Sequence, residues 1–412
     1  MRDRQIFETI RLKNGITVHH YPTDQPFAFF NVKIPIGNVH NTGDILPGTA
    51  HFFEHLALLR SEQYPERSAF PRWVGLHGGT FNAATNIFDT DYTMAIPAER
   101  TTEAWNGFYS HIFEPVILQE DLERERAIVS NERKQRRWYP GMTELSHYLW
   151  ALWIHAEGVS KRQLFGDDED LAKLSTEALL DFHGHYFTPD IHVLVGGTLQ
   201  VEQIISSLSV LNLATHKHAE TYTPFNWERK EYHECTFSDI DMPIYFTGAY
   251  YALPPYAERV ALRFLLEFLT NIHHGPLYQW LRDEKGWAYS VSYDAITSGK
   301  DEALMLEIPL HDISQVTAVR KEIDERIQGA ISNESLLAAE VKRQLGAEVF
   351  DFQTLENLVE EAGYDISYYG RVVSETEYRE YKKRCANASY LHLIYEKYLS
   401  PSLRGEFCAL PQ

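Results

Sequence analysis

The chain repeats itself, and that limits its folds to those that two copies of one unit can build. His185-Tyr186-Phe187-Thr188-Pro189-Asp190, followed by an apolar run over 191–197, reads as a helix end, a proline stop and a strand. Lys397-Tyr398-Leu399-Ser400-Pro401-Ser402 before 403–410 has the same order, at an offset of 401 minus 189, or 212 residues. The same offset carries His51-Phe52-Phe53-Glu54-His55-Leu56 onto Arg263-Phe264-Leu265-Leu266-Glu267-Phe268, an equally apolar helical segment without the histidines. A duplicated domain explains the pattern. At 412 residues the chain also exceeds the size at which one core usually stops growing, so two domains are expected, 1–215 and 216–412. Their join is expected between about Leu213 and Trp227, where polar residues and a proline interrupt the periodicity. Strands near 17–22, 29–36 and 92–96 interleave with helices near 101–113 and 118–137, which predicts an α+β fold of two tandem sandwich domains.

Charge narrows the partners. With 38 basic and 58 acidic side chains the net charge is -20, which repels nucleic-acid phosphates and anionic membrane surfaces, so neither is expected as a partner. Cys235, Cys385 and Cys408 are far apart and lack a C-x-x-C spacing, which argues against a disulfide framework and a thiolate metal site. A reducing, cytoplasmic setting is expected. The first residues carry no apolar signal-like stretch, and no run approaches 18 apolar residues, so no membrane span is expected.

His51 and His55, four apart on a helix, point the same way and can reach one ion, and Glu54 shares their face. This is the H-x-x-E-H order, two nitrogen donors with a carboxylate beside an open coordination position. With 19 histidines in the chain, a chance pentad has a probability of roughly 0.08, so the motif needs support. Phe52, Phe53, Leu56, Leu58 and Leu59 surround the trio, which makes a solvated helix face a poor explanation of it. Support comes from the acidic stretch 120–133. There Glu125 and Glu132, seven apart, share a helix face, so one can ligate the metal while the other stands behind a ligand and orients it.

Taken together these residues resemble the pitrilysin-type family of zinc peptidases, which includes insulin-degrading enzyme, mitochondrial processing peptidase and bacterial relatives. In that family 76 residues separate the pentad from a ligating glutamate, and residues 56 to 131 number 76. The resemblance therefore implies one zinc ion per chain on His51, His55 and Glu132, with Glu125 behind them and Glu54 as general base. Gly48-Thr49-Ala50 and Tyr64-Pro65 resemble the family's surroundings as well, whereas 37–47 lacks the acidic pattern usual before the metal helix.

Gly78-Gly79-Thr80-Phe81-Asn82-Ala83-Ala84-Thr85 is similar to the family's edge-strand segment. That similarity implies an exposed strand at Asn82, Ala83 and Ala84 pairing with an extended substrate backbone, with affinity for many sequences. In the second copy, Leu277 through Gly286 reads as a helix ended by a cationic residue and a C-terminal glycine, followed by a strand over 287–293. Leu-Arg-x-x-Lys-Gly-x-Ala-Tyr-Ser-Val resembles the family's second-domain signature. By that match Arg282 would bind the substrate's carboxyl or carbonyl region, and Tyr289 would donate to the oxyanion. The adjacent His273 and His274, and the pair His183 and His185, lack acidic partners at ligand spacing and are expected to be structural.

The implied reaction is zinc-dependent hydrolysis of a peptide. Glu54 takes a proton from the attacking water and returns it to the leaving amine, while Tyr289 stabilises the tetrahedral oxyanion. The long family members hold two such halves, and this chain has the length of one, so a homodimer is implied, with Arg282 and Tyr289 of one subunit completing the zinc site of the other. The alternatives are a noncatalytic subunit, disfavoured by His51, Glu54, His55 and Glu132, and a peptidase paired with a different chain.

Overall fold

The computed structural model describes residues 7–41, 44–86, 88–135, 165–213, 231–238, 240–297, 301–351 and 354–412. The fold is α+β and is built on two sheets. The first contains β1 (Glu8–Arg11), β2 (Thr17–Tyr21), β3 (Phe27–Ile34), β4 (Thr80–Thr85), β5 (Thr90–Pro97) and β6 (His192–Gly196), in the order β1-β2-β6-β3-β5-β4. The second contains β7 (His233–Phe237), β8 (Ile244–Ala252), β9 (Ser292–Thr297), β10 (Asp301–Pro309) and β11 (Gly405–Pro411), in the order β7-β11-β8-β10-β9.

The duplication is visible strand by strand. Reading β2, β6, β3, β5 and β4 as the counterparts of β7, β11, β8, β10 and β9 reproduces both order and direction: β2–β6 and β7–β11 are the parallel pairs, and the other pairings are antiparallel. Adding 212 to 80–85 gives 292–297, which is β9 residue for residue. The expected join between the copies lies mostly outside the described residues, as do positions 136–137 at the end of the helix expected near 118–137.

Each face of the first sheet is covered. Helices including Thr49–Ala57, Thr101–Phe113 and Thr176–Gly184 bury Phe52, Phe53, Trp105 and Phe108 on one side. A helix from the second copy, Leu355–Tyr369, sets Leu355, Leu358, Val359, Ala362 and Ile366 against Tyr21, Phe29 and Leu194 on the other. That double cover explains why the central strand β3 is apolar almost throughout, Phe-Ala-Phe-Phe-Asn-Val-Lys-Ile, rather than alternating. Gly196 permits the close approach, because a Cβ there would stand 2.6 Å from Leu355 Cδ1. Among the described residues no helix is long and apolar enough to cross a membrane.

Three expectations need correction. The segment expected as a helix over 277–286 is one α-turn, Pro276–Tyr278, continued by a π-helical stretch, Gln279–Glu284. The strand expected at 287–293 begins at Ser292 instead. The backbone N–H groups of Trp287 and Ala288 turn back to Leu281 O, so Ala288 and Val291 are buried by packing rather than by strand pairing. His274 also has an acidic partner that sequence spacing hides, since its Nε2 lies 2.8 Å from Glu340 Oε2.

His183 is structural. It is buried, stacks 5.2 Å from Phe53 and bonds Ile112 O through Nε2 at 2.9 Å. Burial pushes His183 and His111 down to about 4, and burial together with His192 pushes His19 to about 3. These rings are neutral in the fold but bind protons near pH 6.5 once unfolded, so their contribution is complete above pH 6.5 and is lost as the pH falls toward 4. At pH 5 each is expected to cost about 2 kcal/mol. Denaturant titrations at pH 7 and pH 5 should show this loss, and equal stabilities would contradict it.

Candidate functional site

The Thr49–Ala57 helix begins at Gly48, whose φ of 81° suits glycine. A Cβ at Gly48 would lie 2.4 Å from Gly166 N, so the helix start fits tightly under the Phe165-Gly166 backbone. Ala50 N–H donates to Asn41 Oδ1 at 3.1 Å, satisfying one of the amides that a helix start leaves open. Phe52 and Phe53 are fully buried, and that anchorage fixes the helix rotation that groups His51, Glu54 and His55. Phe165 packs edge-on against His51 at 5.0 Å.

The helix Gln119–Gln135 packs beside it and brings the expected glutamates. Glu132 Oε2 lies 3.6 Å from His51 Nε2 and 3.3 Å from His55 Nε2. The two imidazole rings stand 4.7 Å apart, and one ligand atom from each of the three residues lies within 4.8 Å of the others. Glu125 Oε2 stands 3.3 Å from His55 Nδ1, on the side of the ring away from Glu132. Two nitrogens and a carboxylate oxygen thus converge, with a carboxylate behind one ring to fix its orientation, an arrangement that suits a divalent metal ion.

The electrostatics agree with that fit. Burial works against a charge on His55, yet Glu125 and Glu132 outweigh it and raise the imidazole to about 9. Burial also opposes ionisation of Glu125, but His55 and Arg67 hold its carboxyl below the usual range. The pocket favours positive charge, a role a bound cation would take over from the imidazole proton.

Glu54 stands apart from the ligand group. It is buried, and that burial raises its pKa, while a hydrogen bond from Thr85 pulls the other way. Thr85 Oγ1 donates to Glu54 Oε2 at 3.0 Å. Thr85 ends β4, which pairs with β5 on one side and forms the sheet edge on the other. Asn82 and Ala84 on β4 are exposed, whereas Ala83 packs against the core, so only one of the two alanines faces solvent. The edge strand and Glu54 are therefore joined by the Thr85 hydrogen bond.

Arg282 and Tyr289 form a second cluster. The Arg282 guanidinium sits 4.6 Å from the Tyr289 ring and 5.2 Å from the Tyr278 ring, and Tyr289 is 73% exposed. In the second copy the His51, Glu54, His55 and Glu132 group is replaced. Arg263, Leu266 and Glu267 follow His51, Glu54 and His55 by the 212 offset, and 132 plus 212 gives Gln344. Arg263 pairs with Glu302 at 3.0 Å, and Gln344 donates to Glu340 at 2.8 Å.

Sequence reasoning missed Arg67 and Arg60. Arg67 bonds both Glu125, at 2.6 Å, and Asp121, and Arg60 holds Asp121 as well. Their only signal was a pair of cations between the metal helix and its acidic partner. Arg67→Ala should weaken binding of a divalent ion by about 10–100-fold. Competition with a chromogenic chelator measures this, and unchanged affinity would show that Glu125 needs no such support.

Residues 17–149 match the family model Insulinase (Peptidase family M16), and 173–345 match the Peptidase M16 inactive domain. Protease 3 of Escherichia coli (strain K12) is 26% identical over 195 residues, covering 46% of this chain and 20% of that protein. The insulin-degrading enzyme homolog of Dictyostelium discoideum is 30% identical over 133 residues, covering 32% and 14%. The matched part thus spans a fifth or less of those relatives. In fold, a protease from Helicobacter pylori matches with a TM-score of 0.81 at 17% identity, over 98% of this chain and 99% of that one. The periplasmic protease PqqL from Escherichia coli matches with 0.81 at 12% identity, over all of this chain and 48% of that one.

Proposed function

For a chain that belongs to the insulinase-type peptidase family M16, we propose zinc-dependent endopeptidase activity on peptides or unfolded segments. The observation that carries it is the convergence of His51, His55 and Glu132 within 4.8 Å, with Glu54 beside them and outside the ligand group.

His51, His55 and Glu132 hold the ion, and Glu125 orients His55 from behind. Zinc, when bound, supplies a Lewis acid and a water acidified toward neutral pH. The substrate lies extended along the free edge of β4, where its main chain adds to the sheet and its side chains are read only loosely. Glu54 accepts the proton of the attacking water and delivers it to the leaving nitrogen. Its buried position favours that exchange, since burial brings a carboxyl closer to neutral pH.

Arg282 grips the substrate and Tyr289 donates its hydroxyl to the developing oxyanion. We place these two groups in a neighbouring subunit of a homodimer. What supports this is the division of the groups between the two copies, with His51, His55 and Glu132 in the first and Arg282 and Tyr289 in the second. The setting we propose is cytoplasmic, in keeping with Cys235, Cys385 and Cys408 lying far apart in the sequence without a C-x-x-C spacing.

Purified protein given a quenched fluorogenic, unstructured peptide should cleave it. A chelator should abolish cleavage, and stoichiometric zinc should restore it. Cleavage that persists through complete chelation would overturn the proposal.

A further inference from the structure

We propose that Tyr278 is the positioning residue that presets Arg282 for substrate, an inference that rests on the reading of Arg282 as a substrate-binding group. Arg282 Nη1 donates to the Tyr278 hydroxyl, and the guanidinium also lies 5.2 Å from the Tyr278 ring. On its other side the guanidinium stands 4.6 Å from the Tyr289 ring and 3.5 Å from the Tyr289 carbonyl oxygen. The cation is therefore held between two tyrosines that differ in freedom. Tyr278 is 7% exposed and fixed in the core, whereas Tyr289 is 73% exposed.

The backbone explains how three residues spread over 278–289 meet. Gln279–Glu284 is π-helical, a winding often found at functional sites, and it sets Arg282 directly against Tyr278. Lys285 N–H donates to Trp280 O and Gly286 N–H to Arg282 O, which closes the stretch. Gly286, with φ of 64°, then reverses the chain and returns Tyr289 over the guanidinium.

The consequence is preorganisation. An arginine free in solvent loses much side-chain freedom when it grips a ligand, whereas one already pinned by a buried hydroxyl and an aromatic face loses less. The Tyr278 hydroxyl occupies one N–H and leaves the remaining fork for a carbonyl or carboxylate. Tyr289 can move without releasing Arg282, because the fixed hold is on the other side. The Tyr278 hydroxyl thus acts on substrate only through Arg282.

The test is a double-mutant cycle with Tyr278→Phe, which keeps the ring, Arg282→Ala, and both together. Binding of a fluorescein-labelled unstructured peptide to chelator-treated protein is read by anisotropy, and kcat and KM are read with zinc present. Tyr278→Phe should weaken binding and raise KM roughly tenfold, the loss of one charge-assisted hydrogen bond, with kcat nearly unchanged. In the Arg282→Ala background the same change should do nothing further. Tyr278→Leu, lacking ring and hydroxyl, should weaken binding more. Wild-type binding by Tyr278→Phe beside an impaired Arg282→Ala, or additive losses in the double variant, would overturn the proposal while leaving the role of Arg282 standing. Wild-type behaviour of Arg282→Ala itself would overturn both.

Discussion

Glu54→Gln should lower peptide cleavage by roughly 10²–10⁴-fold, the range for loss of a positioned general base, and leave metal binding intact. The amide has the shape of the carboxylate and its oxygen can still accept the Thr85 hydrogen bond, so the buried site has no reason to rearrange. It cannot take up a proton. The three groups proposed to hold the metal, His51, His55 and Glu132, are untouched by the change. The loss should therefore fall on kcat, measured beside the zinc content of the same preparation. Substantial turnover by Glu54→Gln would remove Glu54 from the mechanism.

Mixing two inactive variants should restore activity. Tyr289→Phe removes the hydroxyl assigned to the oxyanion, and loss of one such donor costs about 10²–10³-fold. If the groups of one subunit complete the metal site of its partner, a dimer of a Glu54→Gln chain and a Tyr289→Phe chain contains one site with Glu54 and Tyr289 both intact. Random exchange makes about half of the dimers mixed, so about a quarter of all sites should work. Recovered cleavage in verified mixed dimers measures this. If every site were built within one chain, the mixture would stay as inactive as its parts.

Much of this arrangement is legible in the sequence because it depends on local spacing. Four residues along a helix fix the angle between His51 and His55, and seven fix that between Glu125 and Glu132. Repeated order and spacing of apolar segments are enough to reveal the duplication, which recurs in two sheets of matching strand order. What stays hidden depends on contacts between distant segments. Arg67 reaches Glu125 across 58 positions, and Thr85 reaches Glu54 across 31. The Trp287–Val291 stretch looks like a strand because buried loops and strands are equally apolar, and its backbone partner, Leu281, shows only in three dimensions. The helix Leu355–Tyr369 covers the sheet of the other copy, a long-range contact that no local spacing announces.

The proposed peptidase activity requires a zinc ion held by His51, His55 and Glu132. Zinc content of purified protein and of its His55→Ala variant, taken by elemental analysis after dialysis against zinc-buffered solution, decides this. One zinc per chain in the parent and almost none in the variant, with both folded alike, is the predicted result. Equal zinc in both, or none in the parent, would contradict it.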